Sequence, residues 1–213
     1  MSALRRIAIL ASGTGSNMQA IAAACDAGSI PASIGLVISN VPGAAVLDRA
    51  RERQLPCCCI DHREFSHREA FEEALLNSLA EAAIDFVALA GFMRILTERF
   101  INSYYGSLLN VHPSLLPKYP GLHTHQRALD AGDQQAGATV HFVTPELDGG
   151  PAIVQAQVEI RAGDDAASLA RRVQLQEHHI YPLAIRWCLE GKVTLRDGQL
   201  YKDESIMSHG IQA

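Results

Sequence analysis

Short apolar runs alternate with longer helical patterns through the first half of the chain, and this alternation constrains the fold more than any other feature. Arg6 to Ala11, Ser33 to Ser39, Cys57 to Ile60 and Ile84 to Ala90 read as strands, with Ser16 to Ala27, Gly43 to Gln54 and Ser66 to Ala83 as the helices between them. Repeated βαβ units of this kind need right-handed crossovers and therefore a parallel sheet. The runs are nearly continuous in apolar residues, as strands covered on both faces must be. The expected class is α/β: an open, mostly parallel twisted sheet with helices on both faces.

The second half is less regular. Thr97 to Tyr105 reads as a short helix and Ser107 to Val111 as a strand, followed by a proline-rich loop to Gly121 and a helix near His123 to Ala131. Gly137 to Val143 and Ala152 to Ile160 are strand candidates. Ala166 to Leu189 reads as one long helix with Leu169, Val173, Ile180, Leu183 and Trp187 as its core stripe. Pro182 is expected to kink it, because the ring removes a hydrogen bond and crowds the carbonyl of His178. The tail from Lys192 to Lys202 alternates weakly around an Asp197-Gly198 hairpin turn. With 213 residues, 48% of them hydrophobic, a single domain over 1–213 is expected, built from a first half, 1–105, and a second, 106–213.

Charge and cysteine usage exclude several classes of partner. The formal net charge is −5 and the cations are scattered, which removes the electrostatic footprint of a nucleic-acid binder. Neither a signal peptide nor an apolar run of membrane-spanning length stands out, so a cytoplasmic protein without membrane contact is expected. Cys57, Cys58 and Cys59 are contiguous, a spacing that suits neither a disulfide framework nor a zinc knuckle. They read as small apolar residues of a buried strand, and no metal site is expected.

Two regions carry chemistry. The first strand runs straight into Ser12-Gly13-Thr14-Gly15-Ser16-Asn17 and then a helix, which either aims backbone N–H groups at an anion or only relieves strain in a tight turn. Met18 replaces the third glycine of the dinucleotide fingerprint, and the second strand ends in Ser39 and Asn40 without an acidic residue for a ribose diol. A single phosphate on Gly15, Ser16 and Asn17 therefore fits better than a dinucleotide. In the second region Asn110 and His112 are two residues apart at a strand's carboxyl end, so both side chains point the same way and can act on one atom. Asp148, on a glycine-bounded turn, supplies the carboxylate that holds a histidine's tautomer. No serine or cysteine lies in a nucleophile-elbow context. Group transfer directly between two bound substrates, through a charged tetrahedral intermediate, is the reading these residues support.

The segments Asn110 to Gly121, Ala90 to Leu96 and Leu147 to Pro151, together with the glycine loop, resemble the folate-dependent phosphoribosylglycinamide formyltransferase family of purine synthesis. The resemblance runs from about Arg6 to Trp187, and the continuation Lys118 to His123 is more specific to this family than the Asn-x-His-Pro core. It implies a Rossmann-like formyltransferase fold and a formyl transfer from 10-formyltetrahydrofolate, the co-substrate, to the amine of N1-(5-phosphoribosyl)glycinamide. It further implies Asn110, His112 and Asp148 as the catalytic set, and the substrate phosphate on Gly15, Ser16 and Asn17. Gln174 and Glu177 would bind the rest of that substrate. The folate would be held by Arg68, Met93, Arg94, Ile95 and Leu96, by Asn110, and by Thr144, Pro145, Glu146, Leu147 and Asp148. Pro145 has no N–H to offer, so any backbone donor in that turn must be a neighbour. The expected partners are small molecules only, with the chain a monomer or homodimer.

Overall fold

The computed structural model describes residues 4–207 and 210–213. The chain divides between Leu109 and Asn110 into two compact units.

The first unit carries four parallel strands, β1 (Arg5–Leu10), β2 (Ala32–Ser39), β3 (Cys57–Cys59) and β4 (Phe86–Leu89), in the order β4-β1-β2-β3. Ile9 stands opposite Val37 on one side and Ala88 on the other, and all three are fully buried. Between the strands run α1 (Ser16–Asp26), α2 (Ala45–Glu52) and α3 (Arg68–Glu81); α4 (Glu98–Ser103) follows β4. Each buries a stripe at helical spacing: Met18 and Ile21, Val46 with Leu47 and Ala50, and Phe71, Leu75 and Leu79. Burying side chains of this size contributes roughly 2 kcal/mol each. The sequence reading erred at β3. Cys57 and Cys58 are half-buried and Cys59 is exposed, because β3 pairs with β2 alone and forms an edge. A 3-10 turn at His62–Glu64, capped by the Asp61 carboxylate, also escaped it.

Parallel strands end together, so the loops after β1, β2 and β4 converge on one edge. Ser12 N–H donates to the Gly91 carbonyl at 3.0 Å, and Val46 N–H at the start of α2 donates to the Gly13 carbonyl at 3.1 Å. The glycine loop is thereby tied into the sheet edge on both sides.

The second unit takes in the end of β5 (Leu108–His112), then α5 (Thr124–Asp130), β6 (Gln135–Phe142), β7 (Ala152–Glu159) and α6 (Ala166–Leu189). β6 and β7 are antiparallel, since the short 143–151 connection cannot make a crossover. The tail continues past the expected hairpin: β8 (Val193–Arg196), β9 (Gln199–Lys202) and β10 (Ser205–Met207) form an antiparallel sheet, and β11 (Ile211–Gln212) returns to pair in parallel with β7. α6 opens on a capping box, in which Asp165 accepts from Ser168 N–H at 2.7 Å and Ser168 Oγ accepts from Asp165 N–H at 3.0 Å. The helix runs on through Pro182. Its buried stripe is Leu169, Val173, Glu177, Ile180, Tyr181, Ala184 and Ile185, while Leu183 and Trp187 are half-buried. The expected stripe holds at Leu169, Val173 and Ile180, fails at Leu183 and Trp187, and omits Glu177, a charged residue on a core line that an apolar residue would have marked.

Candidate active site

β5 delivers Asn110 and His112 at its carboxyl end, as their spacing requires, and β6 and the 144–150 turn bring His141 and Asp148 to the same place. His112 is 5% exposed and His141 2%. The Asp148 carboxylate faces both rings, with Oδ2 at 3.5 Å from His112 Nδ1 and Oδ1 at 3.8 Å from His141 Nε2. Asp148 adopts a left-handed backbone, φ 51°, which aspartate tolerates better than most residues. Gly121 N–H donates to its Oδ2 at 2.8 Å, fixing the carboxylate. The turn needs Gly150 for a different reason: a Cβ there would lie 1.8 Å from the Phe142 carbonyl oxygen.

Hydrogen-bond complementarity assigns each ring a role. His112 Nε2 lies 2.9 Å from the Tyr119 carbonyl, which can only accept, so Nε2 carries a proton and Nδ1 is the nitrogen turned toward Asp148. In His141, Nδ1 lies 2.9 Å from the Phe142 carbonyl and donates to it. Its Nε2 then accepts from the Asn110 amide at 3.1 Å. This orients Asn110 with its nitrogen inward and one amide N–H unspent on His141. His141 thus works as a neutral ring that sets the Asn110 amide, and the sequence reading missed it. A histidine inside the apolar β6 run, a few residues before the Asp148 turn, was the available signal.

Burial holds the His141 pKa below its ordinary value of 6.5, even with a carboxylate nearby, and burial also lowers His125 and His178. These rings take up protons less readily in the folded chain than in the unfolded chain. Unfolding free energy should therefore be level above pH 7 and fall as the pH drops from about 6.5 toward 5. Denaturant unfolding at pH 7.5 and 5.5 checks this, with His141→Gln giving a shallower fall. A flat profile between those two values would contradict it.

The remaining expected residues lie as follows. Gly15, Ser16 and Asn17 open α1, where Gly15 is the N-cap at φ 80° and no side chain caps the helix. Gly15 and Asn17 are buried and Ser16 is half-buried, and the positive end of the helix dipole lies at this loop. Met93 and Ile95 are largely exposed, Leu96 is buried, and Arg94 has its Nε buried without a partner among the described residues. Arg68 is exposed at the first position of α3. Thr144 is half-buried and Pro145, Glu146 and Leu147 are exposed. Gln174 is exposed whereas Glu177 is buried in α6. Among the described residues no group of three or more His, Cys, Asp or Glu is arranged to hold a metal ion, and no helix is long and apolar enough to cross a membrane.

A family model described as formyl transferase matches residues 5–185. The phosphoribosylglycinamide formyltransferase of Escherichia coli (strain K12) is 48% identical over 197 residues, covering 92% of this chain and 93% of that protein. The trifunctional purine biosynthetic protein adenosine-3 of Homo sapiens is 43% identical over 190 residues, 89% of this chain and 19% of that longer protein. Among solved structures, the phosphoribosylglycinamide formyltransferase of Coxiella burnetii aligns with a TM-score of 0.93 at 40% identity, covering 99% of each chain. The glycinamide ribonucleotide transformylase 1 of Symbiobacterium toebii aligns at 0.91 and 40% identity, covering 93% of this chain and 94% of that one.

Proposed function

Because this chain belongs to the formyl transferase family, and within it to the phosphoribosylglycinamide formyltransferases, we propose that it carries the formyl group of 10-formyltetrahydrofolate to the amine of N1-(5-phosphoribosyl)glycinamide. The products are the formylglycinamide ribonucleotide and tetrahydrofolate, and the reaction serves purine biosynthesis. The observation that carries the residue-level reading is the convergence of His112 Nδ1 and the Asp148 carboxylate, 3.5 Å apart, beside the oriented amide of Asn110.

In this mechanism the neutral amine attacks the formyl carbon, and negative charge develops on the formyl oxygen. His112, acting as an imidazolium that donates from Nδ1, and the remaining N–H of Asn110 stabilise that charge. Nε2 cannot serve, being held by the Tyr119 carbonyl. Asp148 keeps the ring oriented and receives the amine proton, directly or through water, passing it to the folate nitrogen as the carbon–nitrogen bond to the folate breaks. Atoms balance without a formyl-enzyme, and proximity of two bound substrates supplies much of the rate.

The open amino end of α1, at Gly15, Ser16 and Asn17, is assigned the substrate phosphate, and Gln174 and Glu177 the rest of that molecule. Met93, Arg94, Ile95 and Leu96, with Asn110 and the turn Thr144 to Asp148, are assigned the pterin. Here Pro145 and the exposed Glu146 and Leu147 shape the turn, and exposed Arg68 is suited to the folate's carboxylate tail.

Spectroscopic measurement of tetrahydrofolate release from 10-formyltetrahydrofolate tests this reading. Release that requires the glycinamide ribonucleotide is expected. Equal release without the acceptor would mean hydrolysis, and would overturn the transfer.

A further inference from the structure

Residues 93–96 follow β4 with no regular secondary structure, yet the segment holds two apolar side chains outward: Met93 is 63% exposed and Ile95 58%, between buried Phe92 and Leu96. Left to itself, an irregular stretch with exposed apolar groups would fold them inward or fluctuate. Ordering each backbone residue costs about 1–2 kcal/mol, so something must hold it.

Two side chains do so, one at each end. At the start, Met93 N–H donates to Ser12 Oγ at 2.8 Å, and the same hydroxyl donates to Asn40 Oδ1 at 2.6 Å. Ser12 is fixed in turn by its own N–H on the Gly91 carbonyl, and Asn40 is almost fully buried at the end of β2. At the far end, Thr97 N–H donates to Glu72 Oε1 at 2.8 Å, and the Thr97 hydroxyl donates to Glu72 Oε2. Glu72 is a carboxylate only 3% exposed on the inner face of α3. Neither helix formation nor sheet pairing calls for a buried glutamate at that point. Burying a carboxylate is costly unless donors meet it, and both Thr97 donors do.

We propose that Ser12 and Glu72 are positioning residues that clamp the two ends of the 93–96 segment and thereby set the protein's affinity for the pterin of the formyl donor. This rests on the reading of that segment as part of the folate site. Neither residue touches the reacting atoms, so the clamp affects ground state and transition state alike. Its loss should raise KM for the donor and leave kcat in place.

The test is tetrahydrofolate binding, measured by direct titration, together with steady-state kinetics for the parent chain, Ser12→Ala, Ser12→Thr and Glu72→Met. Losing one partner of a buried hydrogen bond typically reduces an equilibrium about tenfold. Ser12→Ala and Glu72→Met should therefore weaken tetrahydrofolate binding roughly tenfold, with kcat within about threefold of the parent. Ser12→Thr keeps the hydroxyl and should restore affinity to within about threefold. For Glu72→Met, which leaves Ser12 and the glycine loop unaltered in sequence, the acceptor KM should not move. Tetrahydrofolate affinity of Glu72→Met within about twofold of the parent overturns the clamp, as does equal behaviour of the alanine and threonine variants. Should Ser12→Ala fail to fold, Glu72→Met alone decides. A parent chain that binds no tetrahydrofolate at all instead overturns the functional reading beneath the clamp.

Discussion

His112→Ala should lower kcat for formyl transfer by about two to three orders of magnitude while leaving both KM values within a few-fold. Among the described residues the ring's polar ties are to the Tyr119 carbonyl, which orients it, and the Asp148 carboxylate, which faces its second nitrogen. Truncation leaves the glycine loop, the 93–96 segment and the turn from Thr144 to Asp148 in place. What would disappear is the donor proposed for the oxygen where charge develops, an interaction stronger in the transition state than in the ground state. Asp148→Asn should fall in the same range. An asparagine can still accept from Gly121 N–H through its remaining oxygen, so the turn survives, but the carboxylate that faces both imidazoles is gone. Steady-state kinetics on the folded, purified variants measures both effects. A loss confined to KM would contradict the roles given to these residues.

The second large effect is on the fold. Gly15→Ala should destabilise the chain by roughly 2–4 kcal/mol and abolish anion binding at the amino end of α1. Gly15 has φ 80°, a conformation that L side chains rarely adopt, and a Cβ there would lie 2.6 Å from Val46 Cγ2 and 2.9 Å from Val46 Cα. Moving the side chain cannot relieve a contact with the Cα. α2 would have to shift at its first turn, where Val46 N–H is bonded to the Gly13 carbonyl. Gly13→Ala is the matched control, because a Cβ at Gly13 meets nothing within 4 Å. Denaturant unfolding of the two variants should separate them clearly. Equal stabilities would show that the loop does not hold the geometry described.

How much of this could be read before the coordinates depended on whether side-chain pattern or backbone carried the information. The parallel β1, β2 and β4 were legible because strands covered on both faces leave continuous apolar runs. The pairing of Asn110 with His112 was legible because strand periodicity is two. Asp148 stood out as a carboxylate on a glycine-bounded turn. By contrast, the Tyr119 carbonyl that takes up His112 Nε2 and leaves Nδ1 facing Asp148 is a main-chain atom, and any residue at position 119 other than tyrosine would offer the same one. His141 was hidden because its role is to be buried and neutral, which in sequence looks like a satisfied core residue. Glu177 was left out of the α6 stripe for the converse reason, since it is a charged side chain on a buried line. Ser12 and Glu72 act across distances of many residues on backbone N–H groups of Met93 and Thr97, which no local spacing rule reports.

If Asp148 works through the His112 ring, the two residues form one unit and their losses cannot multiply. The direct measurement is kcat for His112→Ala, Asp148→Asn and the double variant under saturating donor and acceptor, set out as a double-mutant cycle. The expected result is a double variant no more than about threefold slower than the slower single variant. A double variant slowed by the full product of the two single effects would mean that the imidazole and the carboxylate act independently, and would contradict the shared site at its centre.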